Sequence, residues 1–235
     1  MYLIADFFVN FQNKYSFIDE LCIEYKCKDN TPADFLISVS DEELQQEHLR
    51  SSVKYSNGYV ESVCAYRKLA LELPLRDAFL LHGSVISCQG KGVAFLARSG
   101  VGKTTHTLLW KKVYGDNVTV INGDKPIIRY VDEVPFAYGT PWAGKENLSV
   151  NEKVRLTDIC ILQRSEKNFI RKVDKSEIVD FFMAQVLLPG KSETLIKALE
   201  LYDRVLEDCN IWCIGCNMDD EAAVVAHDGI LGGKA

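Results

Sequence analysis

The chain has 235 residues, with 27 Lys and Arg against 33 Asp and Glu, so its formal net charge is -6. With 47% hydrophobic and 26% charged residues it belongs among ordinary globular chains of one or two domains, and not among disordered or collagenous ones. No apolar run approaches the ~18 to 20 residues that cross a bilayer, and the start MYLIADFFVNFQNK carries no basic leader. Net negative charge argues against duplex nucleic acid as the main partner. The expectation is a cytoplasmic protein with neither a membrane nor a nucleic-acid partner.

In chain order, YLIADFFVNF at 2–11 reads as one strand and DFLISVS at 34–40 as another, joined by the polar CKDNTPAD. Asp41 precedes EELQQEHL, a short capped helix. Then Tyr59, Val63, Tyr66, Ala70 and Leu73 recur in steps of four and three, which predicts one helix face ending at Pro74. Residues 1–76 are expected to form a small α+β unit.

DAFLLHGSVIS and GVAFLA follow as two strands around a tight turn in CQGKG. ARSGVGKTTH and the periodic THTLLWKKVY make a glycine loop and a helix, and VTVI, PIIRY and VPFAYG supply further strands. The loop TPWAGKENLS leads to a strand, TDICILQ. Two helices are expected in KSEIVDFFMAQVLLPG and in SETLIKALELYDRVLED, which opens on a capping-box pattern and places Leu195, Leu199, Tyr202 and Leu206 on one face. A strand, CNIWCIGC, and a helix from near Asp219 and Asp220 close the chain. The expectation for 77–235 is an α/β core with C-terminal helices.

The eight cysteines read as reduced, mostly buried hydrophobes. Cys209, Cys213 and Cys216 have the spacing of a radical-SAM iron–sulfur site, but a strand there points Cys213 and Cys216 to opposite faces. A zinc site with His227 lacks a fourth ligand at standard spacing.

The most specific signal is Ala97-Arg98-Ser99-Gly100-Val101-Gly102-Lys103-Thr104-Thr105. Cradling a triphosphate takes several inward-pointing backbone N–H groups, and Gly100 and Gly102 can take the positive φ this requires. The helix start brings its positive dipole end, the Lys103 ammonium reaches the outer phosphates, and the Thr104 hydroxyl can hold Mg²⁺. The pattern departs from G-x-x-x-x-G-K-[ST] at one position, Ala97. Lys145 and Glu146, in a Gly-flanked loop, can contact phosphate and metal, or that loop is simply solvated. Trp142 can stack on a ligand or pack in the core, and Arg98 either adds positive potential beside the phosphates or points to water.

The stretch LHGSVISCQGKGVAFLARSGVGKTTH resembles the HPr kinase/phosphorylase family, in which a His-Gly pair, a Gly-x-Gly turn and a Ser-Gly-x-Gly-Lys loop follow in this order. Here they are His82-Gly83, Gly90-Lys91-Gly92 and Ser99 to Lys103. The loop is also similar to that of ATP-dependent phosphoenolpyruvate carboxykinase, which shares the nucleotide-binding core. Both families place an Asp-Asp pair after the next strand, where this chain has Gly123-Asp124. Gly139-Thr140-Pro141-Trp142-Ala143-Gly144-Lys145 resembles a motif of HPr-kinase-like proteins.

The resemblance implies a core of that kinase type, ATP and Mg²⁺ as cofactors, and His82, Lys103 and Asp124 as the catalytic set. Ser99, Gly100, Val101, Gly102, Lys103, Thr104 and Thr105, with Lys145, would bind nucleotide, and Thr104 and Asp124 the metal. His82 is otherwise a hydrogen-bonded core histidine, and Asp124 either takes the proton of an acceptor hydroxyl or holds Mg²⁺ through water. The implied partner is a protein or peptide with a serine hydroxyl, or a small-molecule hydroxyl, and a homo-oligomer stays open. The alternative is a non-catalytic nucleotide-binding module, which Gly123 favours.

Overall fold

The apolar run at 2–11 is a hairpin, not the single strand its composition predicts. In the computed structural model, which describes residues 1–28 and 31–232, β1 (Tyr2–Ile4) and β2 (Phe7–Gln12) pair antiparallel around Ala5 and Asp6. Both turn residues have positive φ, 53° and 58°, as a two-residue hairpin turn requires. The Asp6 carboxylate offsets that strain by accepting from Tyr138 Oη and Lys153 Nζ, each at 2.7 Å. After α1 (Phe17–Leu21), β3 (Phe35–Ser38) joins β2 in parallel to complete a three-stranded sheet. Asp29 and Asn30 of the polar connection lie outside the described residues.

The cap of α2 (Asp41–Leu49) is Ser40, not Asp41. Its Oγ accepts from Glu43 N at 3.2 Å, and Glu43 Oε2 accepts from Ser40 N at 2.8 Å, a capping box. In α3 (Asn57–Glu72) the core takes Val60, Cys64, Ala65, Leu69 and Ala70. Tyr59, Val63 and Tyr66, three of the five positions on the expected core face, stay partly exposed and line a cleft.

The rest of the chain is built on a nine-stranded sheet. Its path is β4 (Ala78–Leu80), β8 (Ile127–Val131), β9 (Val134–Tyr138), β10 (Lys153–Arg164), β6 (Lys91–Leu96), β5 (Ser84–Cys88) and β7 (Val118–Asn122). Off this path, β12 (Asn210–Cys216) pairs with β10 and with β11 (Phe169–Lys172), a strand that sequence periodicity missed. On one face α4 (Lys103–Tyr114) and α7 (Glu221–Ile230) pack around the fully buried Trp110. On the other α6 (Ser192–Asp208) contributes Ala198, Tyr202, Val205 and Leu206, leaving Leu199 exposed. Its N-cap is Lys191, without the side-chain cap that the Ser192 pattern promised. The protein is therefore mixed α/β, and among the described residues no helix is long and apolar enough to cross a membrane.

Two further expectations give way to tertiary hydrogen bonds. DAFLLHGSVIS breaks into β4 and β5 at Leu81-His82-Gly83, whose N–H groups donate to Pro126 O, Gln185 O and Asp124 O at 3.0, 2.8 and 3.1 Å. The helix expected over 175–190 shrinks to a 3-10 turn at 175–177 and α5 (Val179–Met183). Backbone at 185–187 is used instead by His82 N and by Tyr202 Oη, which donates to Leu187 O at 2.7 Å. Cys213 packs in the α6 core and Cys216 in the α4–α7 core, so these two thiols diverge across the sheet.

Candidate functional site

Strand directions decide where the motif residues meet. β6 and β7 each run antiparallel to β5, so they point the same way, and their C-terminal ends share one sheet edge with the start of β5. That edge gathers His82 before β5, the glycine loop after β6 and Asp124 after β7. β10 and β12 run parallel to β6 and end beside the loop at Arg164 and Cys216. The C-terminal edge of parallel strands is where α/β sheets bind ligands.

The loop turns on two left-handed glycines, Gly100 at φ 77° and Gly102 at φ 117°. Gly102 is the N-cap of α4, so the orphan N–H groups of the first turn, and the dipole behind them, face the loop. Arg164 Nη2 donates to Gly100 O at 2.5 Å and ties the loop to the end of β10. Ala97, in place of the pattern's first glycine, is buried in the α4–α7 core.

Asp124 stands between His82 and two ammonium groups. Its Oδ1 lies 3.2 Å from His82 Nε2 and 3.5 Å from Lys103 Nζ, and its Oδ2 accepts from Lys125 Nζ at 3.0 Å. Burial raises the carboxyl's pKa, but the His82 hydrogen bond, Lys125 and Lys103 outweigh it and hold the group well below the usual carboxylate range. Burial pushes the Lys103 ammonium below the ordinary lysine value, against the pull of Asp124. The cluster is thus a preformed charge pocket, part of it withdrawn from water.

Asn122, fully buried at the end of β7, sets this geometry. Its Oδ1 accepts from Asp124 N at 2.8 Å and Lys125 N at 2.7 Å, a local side-chain turn. Its Nδ2 donates to Thr140 O and Oγ1, each at 3.1 Å, and to Ser149 Oγ at 3.3 Å. This side chain, together with the bonds from Thr140 Oγ1 to Lys125 O at 2.7 Å and from Gly123 N to Leu148 O at 2.8 Å, fastens the 140–149 loop over the Asp124 turn. The same loop accounts for Gly123: a Cβ there would stand 3.0 Å from Ala143 O and 3.4 Å from Leu148 O. The place of a second acid is filled by backbone.

The edge opens on a cleft of about 880 Å³ lined by His82, Ser99, Gly100, Gly102, Lys103, Thr104, Thr105, Asp124 and Lys145. Val101 lines a second cavity of about 720 Å³ on the far side of the loop, with Arg164, Asn217 and Met218. Lys145 and Glu146 are exposed at the rim, as is Arg98, and Trp142 is buried against Phe11 and Tyr66. Sequence reasoning missed Asn122, although Asn before Gly-Asp is a turn signal, and it missed the cleft side of α3 altogether.

Directly behind the loop, His106 is 1% exposed and its Nε2 accepts from Trp110 Nε1 at 3.1 Å. Burial pulls its pKa from 6.5 down to about 4. The unfolded chain takes up this proton near pH 6.5 and the folded chain does not, so stability falls as pH drops from there to about 4 and no further below. The expected loss is on the order of 3 kcal/mol. Urea melts between pH 4 and 7 should show it, and His106→Gln should flatten that slope.

No family model matches this chain, and no curated protein matches it. A solved structure that it matches is the Hpr(Ser) kinase/phosphatase from Coxiella burnetii, at 13% identity, with 54% of this chain and 90% of that chain covered and a TM-score of 0.30. A likeness at that level carries no weight for fold or activity.

Proposed function

We propose that the protein is an ATP- and Mg²⁺-dependent kinase that transfers the γ-phosphate to a hydroxyl, with a serine of a protein or peptide as the acceptor that the sequence resemblance favours. The observation that carries this reading is the convergence of His82, Lys103 and Lys125 on Asp124 beside a glycine loop that opens a helix. Such a site binds polyanions through backbone N–H groups, dipole and ammonium charge together. Thr104 and Asp124 both line the cleft, and a hydroxyl with a carboxylate suits Mg²⁺, which takes oxygen ligands and keeps several waters alongside substrate phosphates. Bound there, the ion would neutralise charge on the transferring phosphoryl group.

In the reaction, the acceptor oxygen forms a new bond to the γ-phosphorus while the bond to the β–γ bridging oxygen breaks, its electron pair leaving on ADP. The hydroxyl proton passes to the Asp124 carboxylate. With the His82 hydrogen bond and two ammonium groups around it, Asp124 is a weak base. Phosphate competes for Lys103 and Lys125, and that competition frees the carboxylate to accept a proton. His82 orients Asp124 through Oδ1.

A thermal melt tests the nucleotide half of this reading. MgATP at a hundred times its Kd should stabilise the fold by about 2.7 kcal/mol, roughly 5 to 10 °C in a chain of this length. Lys103→Ala should abolish the shift, and its persistence would count against the loop as the phosphate site. A shift with no phosphate reaching any hydroxyl would leave the non-catalytic module, the reading that the covered position at Gly123 favours.

A further inference from the structure

The cleft has two unlike walls. One carries the glycine loop and the Asp124 cluster; the other is Phe17, Leu21, Tyr59, Val63, Tyr66 and Trp142, from α1, α3 and the 140–149 loop. Tyr59, Val63 and Tyr66 are helix positions whose period matches a core face, yet they line the same cleft as the catalytic candidates. Burial raises the Tyr66 hydroxyl's pKa, and the charge of Asp124 adds to it, in keeping with a position across the cleft.

The wall is held in advance. Glu61, fully buried on α3, accepts from Lys14 N at 2.7 Å and Tyr15 N at 3.2 Å and fixes the segment that leads into α1. Gly58 lets Phe17 approach: a Cβ there would meet Phe17 Cβ at 2.8 Å. Phe17 then stands edge-on to Tyr59, ring centroids 6.0 Å apart. Trp142 is 7% exposed, and among the described residues its Nε1–H has no acceptor.

The second cavity offers room for a nucleoside next to the glycine loop. It shares Gly100, Gly102 and Thr105 with the cleft, but His82, Lys103, Thr104 and Asp124 line the cleft only. A nucleoside in the second cavity puts the outer phosphates over the loop and directs the transferring end into the cleft. The acceptor must therefore come from the aromatic side.

Resting on the kinase reading, we propose that the acceptor is a hydroxyl carried next to an aromatic or branched apolar group, which packs on Phe17, Tyr59, Val63 and Tyr66 while the hydroxyl reaches Asp124. The group comes either from the residue flanking a serine in a peptide or from the body of a small alcohol. Apolar burial on the wall supplies binding and orientation, while the charged wall supplies the chemistry.

The experiment uses the full chain with Mg²⁺ and γ-labelled ATP. One arm holds serine peptides of equal length that differ only in the flanking residue (Phe, Leu, Ala, Asp or Lys), and the other holds 2-phenylethanol against ethanol. Phe- and Leu-flanked peptides should exceed the Ala, Asp and Lys forms by tenfold or more in kcat/KM, and preference in the alcohol arm alone identifies a small-molecule source. Tyr59→Ala, at a position already 40% exposed, should raise the KM of the Phe peptide at least fivefold and leave the MgATP thermal shift in place. Tyr66→Phe should keep the preference. Equal or better transfer to Asp- or Lys-flanked serine, transfer to no apolar-flanked hydroxyl, or loss of the MgATP shift in Tyr59→Ala overturns the inference. Absence of any MgATP shift in the unmodified protein overturns the kinase reading itself.

Discussion

Asp124→Asn should lower phosphate transfer by about 10³-fold, within the range for loss of a positioned general base, while binding of ATP without Mg²⁺ is kept or tightened. The carboxylate holds His82, Lys103 and Lys125 around one centre, and it also repels incoming phosphate oxygens. Asparagine keeps the shape and removes the charge, so both ammoniums turn fully to the phosphates. Steady-state kinetics and titration calorimetry with Mg²⁺-free ATP check the two halves. A variant that loses nucleotide affinity in step with transfer would make Asp124 a binding group only. The same change alters stability with a definite sign. A carboxyl held below its usual range stabilises the fold at every pH above the unfolded value, near ~4, and that contribution is lost as pH falls further. Wild type and Asp124→Asn should therefore differ by a constant amount above about pH 5 and converge in stronger acid.

Asn122→Ala should be the more damaging change to the fold, on the order of 3 kcal/mol in urea melts, because it breaks a fully buried network at both ends. Two backbone N–H groups, of Asp124 and Lys125, lose their acceptor, and Thr140 and Ser149 lose their donor. The 140–149 loop keeps its bonds from Gly123 N to Leu148 O and from Thr140 Oγ1 to Lys125 O, but the Asp124 and Lys125 N–H groups lose the acceptor that places the carboxylate, so transfer should fall with nucleotide binding little changed, since the glycine loop and α4 are untouched. Asn122→Asp separates packing from hydrogen bonding. It keeps the acceptor for the two N–H groups, so Asp124 stays placed, but its carboxylate meets Thr140 O where an amide donor stood. Transfer should survive better in this variant than in Asn122→Ala.

Much of the molecule is legible in local pattern. A glycine loop between an apolar strand and a periodic helix needs only neighbouring residues to form, and β6, the loop and α4 stand where periodicity and positive-φ chemistry predict. The two-residue turns divide on the same ground. Gln89-Gly90 announces itself through glycine, whereas Ala5-Asp6 carries no turn residue of that kind, and its positive φ is held by Asp6 bonds to Tyr138 and Lys153, more than a hundred residues away. The helix expected over 175–190 fails for a related reason, because the backbone at 185–187 finds partners far along the chain, at His82 before β5 and at Tyr202 on α6.

By itself the sequence determined the residues of the glycine loop, the order of His82, Lys103 and Asp124 along the chain, and the acidic net charge of -6. These follow from composition and from spacings within a few tens of residues. Only the tertiary structure decided that the three side chains meet on one sheet edge, because that depends on β6 and β7 running the same way through a shared neighbour, β5. It decided too that backbone of the 140–149 loop covers the place of a second acid, and that the Tyr59 face of α3 lines a cleft and not a core. A periodic pattern fixes which residues share a helix face, since that is set by 3.6 residues per turn. What the face looks at is set by packing between segments far apart in the chain, which no local spacing encodes.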